Sequence, residues 1–176
     1  YIMMKLVLIG YMGSGKSLLG KHLSKVMNIP FQDLDAYIET SENASISQLF
    51  ETKGEIYFRK KEALLLQKIL SENFKLILAT GGGTPCYGAV MEDLLRSNNV
   101  LTVYLKCSVD TLVERLWKEK ESRPLISHIN SKDVLNDFIR KHLFERNYYY
   151  NQANIIVGCD GLSEKEIVEK ILFKLF

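Results

Sequence analysis

The sequence predicts an α/β domain in three layers, α/β/α, around a five-stranded parallel sheet. Three observations carry this expectation. Five short apolar runs show little polar alternation, amphipathic stretches lie between them, and a glycine-rich turn follows the first run directly. Strands without alternation are buried on both faces, as in a parallel sheet covered by helices. Repeated strand–helix units connect by right-handed crossovers, which place helices on both faces.

The elements follow in order. "KLVLI" is the first strand. A helix opens at Ser14 and Lys16 and carries Leu18, Leu19, Leu23 and Val26. "FQDLD" is the second strand, and a helix runs from Glu55 towards Leu70 with Phe58, Leu65 and Ile69 on one side. "KLILA" is the third strand, followed by a helix over Ala89 to Arg96; "VLTVYL" is the fourth, followed by a helix over Val109 to Lys120. A long helix, Lys132 to Tyr150, opens after Ser131, a suitable N-cap. "NIIVG" is the last strand and Ser163 to Leu175 the last helix.

The 176 residues suit one domain with a substantial core. A net charge of +2 gives no reason to expect nucleic acid or a membrane surface as partner, and no apolar run approaches the length of a membrane span. Cys86, Cys107 and Cys159 are an odd, widely spaced set with no C-x-x-C pair, which suits a reducing compartment rather than a disulfide framework. The N-terminus lacks the pattern of a secretory leader, and Met3 or Met4 is the expected start. A cytoplasmic protein is expected.

"GYMGSGKS", Gly10 to Ser17, fits the G-x-x-x-x-G-K-[ST] phosphate-binding loop, and it sits between a strand and a helix as that motif requires. Glycines let the backbone wrap a phosphate with its N–H groups inward, those of Gly13, Ser14 and Gly15 among them. The helix N-terminus favours the same anion. Lys16 is expected on the outer phosphates and Ser17 on Mg²⁺. "NSKD" permutes the letters of the guanine-reading N-K-x-D motif without matching it, which argues against GTP.

Four further stretches carry chemistry. In "FQDLDAYI", Asp33 and Asp35 lie two apart at a strand end, so alternation places both on one face at the ligand-binding edge. One carboxylate suits a metal's water shell and the other a substrate hydroxyl. In "KGEIYFRKKE", Arg59 and Glu62 are spaced i, i+3, which prepares a guanidinium to fork onto a substrate carboxylate. "LATGGGTP" is a second glycine loop after a strand, more than one nucleotide needs, and points to a second small ligand. "ERLWKEKESRPLI" carries Arg115 and Arg123 into a charged stretch suited to a lid over a transferring phosphate. Three of these stretches alone also read as ordinary structure: the Asp pair as a capped strand end, the Arg59 stretch as a solvated helix, the Arg123 stretch as a charged loop.

Together, "GYMGSGKS", "DLD", "GEIYFR..E", "TGGG" and "RPL" resemble the shikimate kinase family, in family order over almost the whole chain. The resemblance implies a P-loop kinase fold with strand order 2-3-1-4-5 and a mobile lid at about 116–128. It also implies a substrate-binding region at 33–62 and a core from 1–32, 74–114 and 154–176. The implied activity is transfer of the γ-phosphoryl of ATP to the 3-hydroxyl of shikimate, with Mg²⁺, in aromatic amino-acid biosynthesis, by a monomer. It assigns Lys16, Asp35 and Arg123 to catalysis and Ser17 and Asp33 to the metal. Asp35, Arg59, Gly81, Gly82, Gly83 and Arg146 fall to shikimate. Gly13, Ser14, Gly15, Lys16, Ser17, Leu18, Arg115 and Arg123 fall to the nucleotide, with Arg115 near adenine. Phe58 and Ile46 are implied to pack against the substrate ring.

Three departures stand out. Leu18 replaces the usual Ser or Thr, which leaves its backbone N–H to serve. Asn43 replaces a usual glycine; asparagine is the least costly substitute if φ must be positive. "ERNYYYNQAN" compresses the C-terminal clamp, with Arg146 and Tyr150 in place but Ala153 one residue early, so Arg140 is a second candidate for the clamp. A gluconate or nucleoside monophosphate kinase and a nucleotide-dependent switch without turnover are the alternatives. Retention of Lys16, Asp35, Arg59 and Arg123 argues against the switch.

Overall fold

The computed structural model describes residues 4–176, so Met3 and the two residues before it lie outside the described residues. Five parallel strands form one sheet: β1 (Lys5–Ile9), β2 (Phe31–Asp33), β3 (Leu76–Ala79), β4 (Val100–Lys106) and β5 (Ile155–Gly158). The order is β2-β3-β1-β4-β5, as expected. β1 is the middle strand, paired over Lys5↔Leu76 to Leu8↔Ala79 on one side and Lys5↔Val100 to Ile9↔Tyr104 on the other. Leu6, Val7, Leu8 and Ile9 are all buried, which explains the unbroken apolar run.

All five strands end at one edge, so the segments after Ile9, Asp33, Ala79, Lys106 and Gly158 share one rim of the molecule. Helices α1 (Lys16–Met27), α2 (Leu34–Glu42), α3 (Ile46–Glu72), α4 (Val90–Arg96), α5 (Val109–Glu119), α6 (Lys132–Tyr150) and α7 (Glu164–Leu175) connect and cover the strands. All of these helices but α1 and α4 start with a side-chain cap. Ser108, Ser131 and Ser163 each accept a backbone N–H from the third residue on, and Ser163–Glu166 forms a reciprocal capping box. Among the described residues no helix is long and apolar enough to cross a membrane.

The structure corrects the reading of "FQDLD" as a strand through residue 35. β2 stops at Asp33, whose carboxylate accepts the Ala36 N–H and caps α2. Asp35 therefore lies in the first helical turn, and strand alternation does not place it. The helix opening at Glu55 is present, but a further helical segment precedes it: α3 is two helices joined at Gly54, whose φ of 84° breaks the helical path. Asn43 ends α2 with φ 51°, the left-handed conformation anticipated for that position. In α1, Leu19 and Leu23 face the core, whereas Leu18 and Val26 are exposed.

The seat of α1 depends on Gly20. A Cβ there would overlap the Phe31 ring and lie 3.3 Å from Leu8 Cδ1. Gly20→Ala is expected to lower stability by roughly 1–2 kcal/mol, the cost of overpacking exceeding a gain of about 1 kcal/mol in helix propensity. A urea midpoint at or above the parent's would show that Phe31 gives way freely.

Candidate active site

β1 delivers the chain into the loop 10–15, and Gly15, with φ 95°, turns it into α1 without any side-chain cap. The first N–H groups of α1 are thus left to the cleft. Lys16 is buried, and its Nζ donates to Gly10 O at 2.7 Å and Tyr11 O at 3.0 Å. Burial pulls its pKa down to about 8, with nearby Asp35 acting in the opposite sense. A lysine held this way carries its charge in a region of weak screening, where a phosphate gains most from it.

A cleft of about 530 Å³ opens over this loop. Gly13, Ser14, Gly15, Lys16, Ser17 and Leu18 line it, with Asp33 and Asp35 on one side and Arg115 and Arg123 on the other. The structure thus gathers these residues around one cleft. Leu18 is 60% exposed and presents a methyl surface to the cleft. The Ser14 hydroxyl is buried with no hydrogen-bond partner among the described residues.

Ser17 Oγ donates to Asp33 Oδ2 at 2.5 Å while Asp33 Oδ1 holds its cap, so a hydroxyl and a carboxylate are fixed side by side. This hard-oxygen pair fits Mg²⁺, which takes one or two protein oxygens and fills its octahedron with phosphates and water. Among the described residues no cluster of three His, Cys, Asp or Glu forms a closed metal cage. Arg115 donates to Gly13 O at 3.1 Å. Arg123 grips Glu119 Oε2 through Nε and Nη2, at 3.0 and 2.7 Å, from the position just past the short 3₁₀ turn Lys120–Ser122 that follows α5.

The second glycine loop explains itself through what it lacks. A Cβ on Gly81 would lie 3.0 Å from Asp35 Oδ1, one on Gly82 3.1 Å from Arg146 Nη1, and one on Gly83 2.6 Å from Arg59 Nη2. Each glycine therefore makes room for one charged group. Arg140 instead bonds Asn136 at an exposed position, so Arg146 is the arginine brought to this loop.

Arg59 is held from several sides. Its Nη1 donates to Glu62 Oε1 at 2.9 Å, and its guanidinium lies 3.9 Å from the Tyr87 ring centroid. Glu62 is 2% exposed, and its other oxygen accepts the Thr84 hydroxyl at 2.9 Å, which ties α3 to the glycine loop. Arg59 Nε is buried without a partner among the described residues. Phe58 is buried against Phe50, ring centroids 4.6 Å apart. Asp35 is pushed up to about pH 6 by burial first, then by the charges of Asp33 and Glu62.

Thr84, Tyr11 and His142 carry no motif that marks them as parts of this region, whereas Tyr150 is marked by its spacing from Arg146. Thr84 directly follows the three glycines and was within reach of a local reading. Tyr11 bonds His142 across 131 residues, for which no spacing signal exists. Cys86 is half-buried, and burial pushes its thiol up to about 11. Cys86, Cys107 and Cys159 are all free.

A phosphate loop at the middle of a parallel sheet ordered 2-3-1-4-5, beside a cleft of lysine, arginines and aspartates, defines a P-loop phosphotransferase. The sequence profile described as shikimate kinase matches residues 12–176. A shikimate kinase of Flavobacterium johnsoniae is 46% identical over 170 residues, 97% of this chain and 98% of its own length. The crystal structure of shikimate kinase from Bacteroides thetaiotaomicron superposes with a TM-score of 0.90 at 35% identity, covering 98% of each chain. That of shikimate kinase from Acinetobacter baumannii, in complex with shikimate, gives 0.86 at 30% identity over 98% of this chain and 93% of that one. The chain belongs to the shikimate kinase family.

Glu62 offers a direct test of how the site is built. Glu62→Ala leaves Arg59 without its ion pair and the buried Thr84 hydroxyl without its acceptor. It is expected to cost roughly 2–4 kcal/mol in urea unfolding, below the full range for a broken buried pair because Arg59 is partly exposed. Glu62→Gln, which keeps an acceptor for Thr84, loses less. An alanine variant within about 0.5 kcal/mol of the parent contradicts this account.

Proposed function

We propose that this chain transfers the γ-phosphoryl group of ATP to the 3-hydroxyl of shikimate, giving shikimate 3-phosphate and ADP on the route to chorismate and the aromatic amino acids. The observation that carries the reading is the convergence of Asp35, Arg146 and Arg59 on Gly81, Gly82 and Gly83, beside the phosphate loop. A carboxylated polyol matches two arginines and a hydroxyl-accepting carboxylate. Gluconate or a nucleoside monophosphate remains an alternative only outside the family to which the chain belongs.

In this reading the nucleotide phosphates lie on the N–H groups of Gly13, Ser14, Gly15, Lys16, Ser17 and Leu18. Lys16 supplies charge to the transferring group, and Arg123 closes over it from a lid at about 116–128 once it exchanges Glu119 for phosphate. Arg115 borders the base. Ser17 and Asp33 hold Mg²⁺, which when bound neutralises charge on the outer phosphates. The segment 33–62 forms the substrate-binding region. Arg59, oriented by Glu62, and Arg146 clamp the shikimate carboxylate, while the glycine loop lies close along the ring. Asp35 accepts the hydrogen bond of the 3-hydroxyl and fixes its oxygen as the attacking atom. Positioning and charge neutralisation supply most of what phosphoryl transfer needs.

Coupled ADP release with MgATP is expected to depend on shikimate and to stop when EDTA removes the metal. Asp35→Asn is expected to lower kcat by about 10²-fold or more, with ATP binding retained. Turnover stimulated by gluconate or a nucleoside monophosphate but not by shikimate would overturn the substrate assignment.

A further inference from the structure

Tyr11 is the second residue of the phosphate loop, yet its side chain does not face the cleft. It is 2% exposed and runs beneath the loop towards α6. A buried phenol requires a partner, and this one is His142 Nδ1, at 2.9 Å. The imidazole is held tightly: the Tyr11 ring meets it edge-on, centroids 5.4 Å apart at 87°, and Phe138 meets it at 5.4 Å and 67°. Burial, with Arg146 adding to it, pulls the His142 pKa down to about 4, so the ring is neutral near pH 7. Its Nδ1 is then free to accept from the phenol, with the proton on Nε2.

Phe138, His142, Arg146 and Tyr150 recur every four residues and therefore form one stripe along α6. The Arg146 guanidinium lies 5.7 Å from the Tyr11 ring centroid and near the Tyr150 phenol. Tyr150 in turn donates to Gly82 O. The contrast with Arg59 is informative. Arg59 is oriented by the Glu62 carboxylate, whereas among the described residues no carboxylate forms an ion pair with Arg146. Its placement rests on aromatic groups, which leave its charge unspent. The backbone of Tyr11 meanwhile serves the nucleotide side, its carbonyl accepting from Lys16 Nζ and from the Ser14 N–H.

We propose that Tyr11 and His142 are positioning residues: their hydrogen bond locks the Tyr11 ring as the seat of Arg146, so a phosphate-loop side chain sets affinity for the substrate carboxylate. The proposal rests on the reading of Arg146 as a carboxylate clamp. Neither residue touches substrate. Both act by restricting where the guanidinium can lie over Gly82.

The test uses the full chain and steady-state kinetics with shikimate and with its neutral carboxamide. Tyr11→Phe removes one oxygen and keeps the ring. It is expected to raise the KM for shikimate roughly tenfold, the worth of one hydrogen bond, with kcat and the KM for MgATP within about twofold. His142→Phe is expected to do the same, and the double variant to be no worse than either alone. With the carboxamide, parent and variants are expected to share one KM. Arg146→Ala separates the two layers of the reading. If it leaves the shikimate KM unchanged, the clamp assignment fails and the proposal falls with it. If it raises that KM while Tyr11→Phe and His142→Phe do not, the clamp stands and the positioning role is overturned. Equal losses with shikimate and carboxamide would mean general loosening of the fold, which also overturns the proposal.

Discussion

Three missing β-carbons set the geometry of the cleft. Gly81, Gly82 and Gly83 follow β3, and each leaves the space that one of Asp35, Arg146 and Arg59 fills. Those side chains come from α2, α6 and α3, elements far apart in the chain. They meet because a parallel sheet sends every strand's carboxyl end to the same rim, and β3 lies beside the central strand that carries the phosphate loop. A Cβ on Gly83 would overlap the Arg59 guanidinium, and one on Gly81 or Gly82 would press Asp35 or Arg146 back by a few tenths of an ångström.

The cations around the cleft are held by four different means. Lys16 rests on loop carbonyls, and burial lowers its pKa to about 8. Arg59 is paired with the buried Glu62. Arg123 is paired with Glu119 where water reaches both. Arg146 leans on aromatic groups. The differences match the tasks proposed for each. An exposed pair is worth little and exchanges readily, which suits a lid. A buried pair fixes direction, which suits a clamp. A cation with no acidic partner keeps its attraction for an incoming anion.

Much of this was legible in the sequence because it is local. The phosphate loop, the Arg59–Glu62 spacing and the strand–helix alternation all lie within windows where periodicity and motif speak directly. Asp35 was misplaced because "FQDLDAYI" supports both strand alternation and a capped helix start. The bond from Ala36 N to Asp33 decides for the helix. The helices over 34–42 and 46–53 are only about two turns each, so the apolar spacing of Leu34, Tyr37 and Ile38 and of Ile46, Leu49 and Phe50 is too short to stand out, and burial of Leu34, Ile38 and Leu49 anchors them through packing. The pairing of Tyr11 with His142, and the choice of Arg146 over Arg140, depend on which face of α6 meets the glycine loop. One residue of rotation along that helix would turn Arg146 and His142 about 100° away from these partners.

In the proposed function, Asp35, the two arginines and the phosphate loop present one particular hydroxyl of shikimate to ATP. Phosphorus–proton coupled NMR of the product formed from MgATP and shikimate tests it most directly. A single phosphate ester is expected, with its phosphorus coupled to the proton on carbon 3. Coupling to the proton on another carbinol carbon, or release of inorganic phosphate with shikimate unchanged, would contradict it.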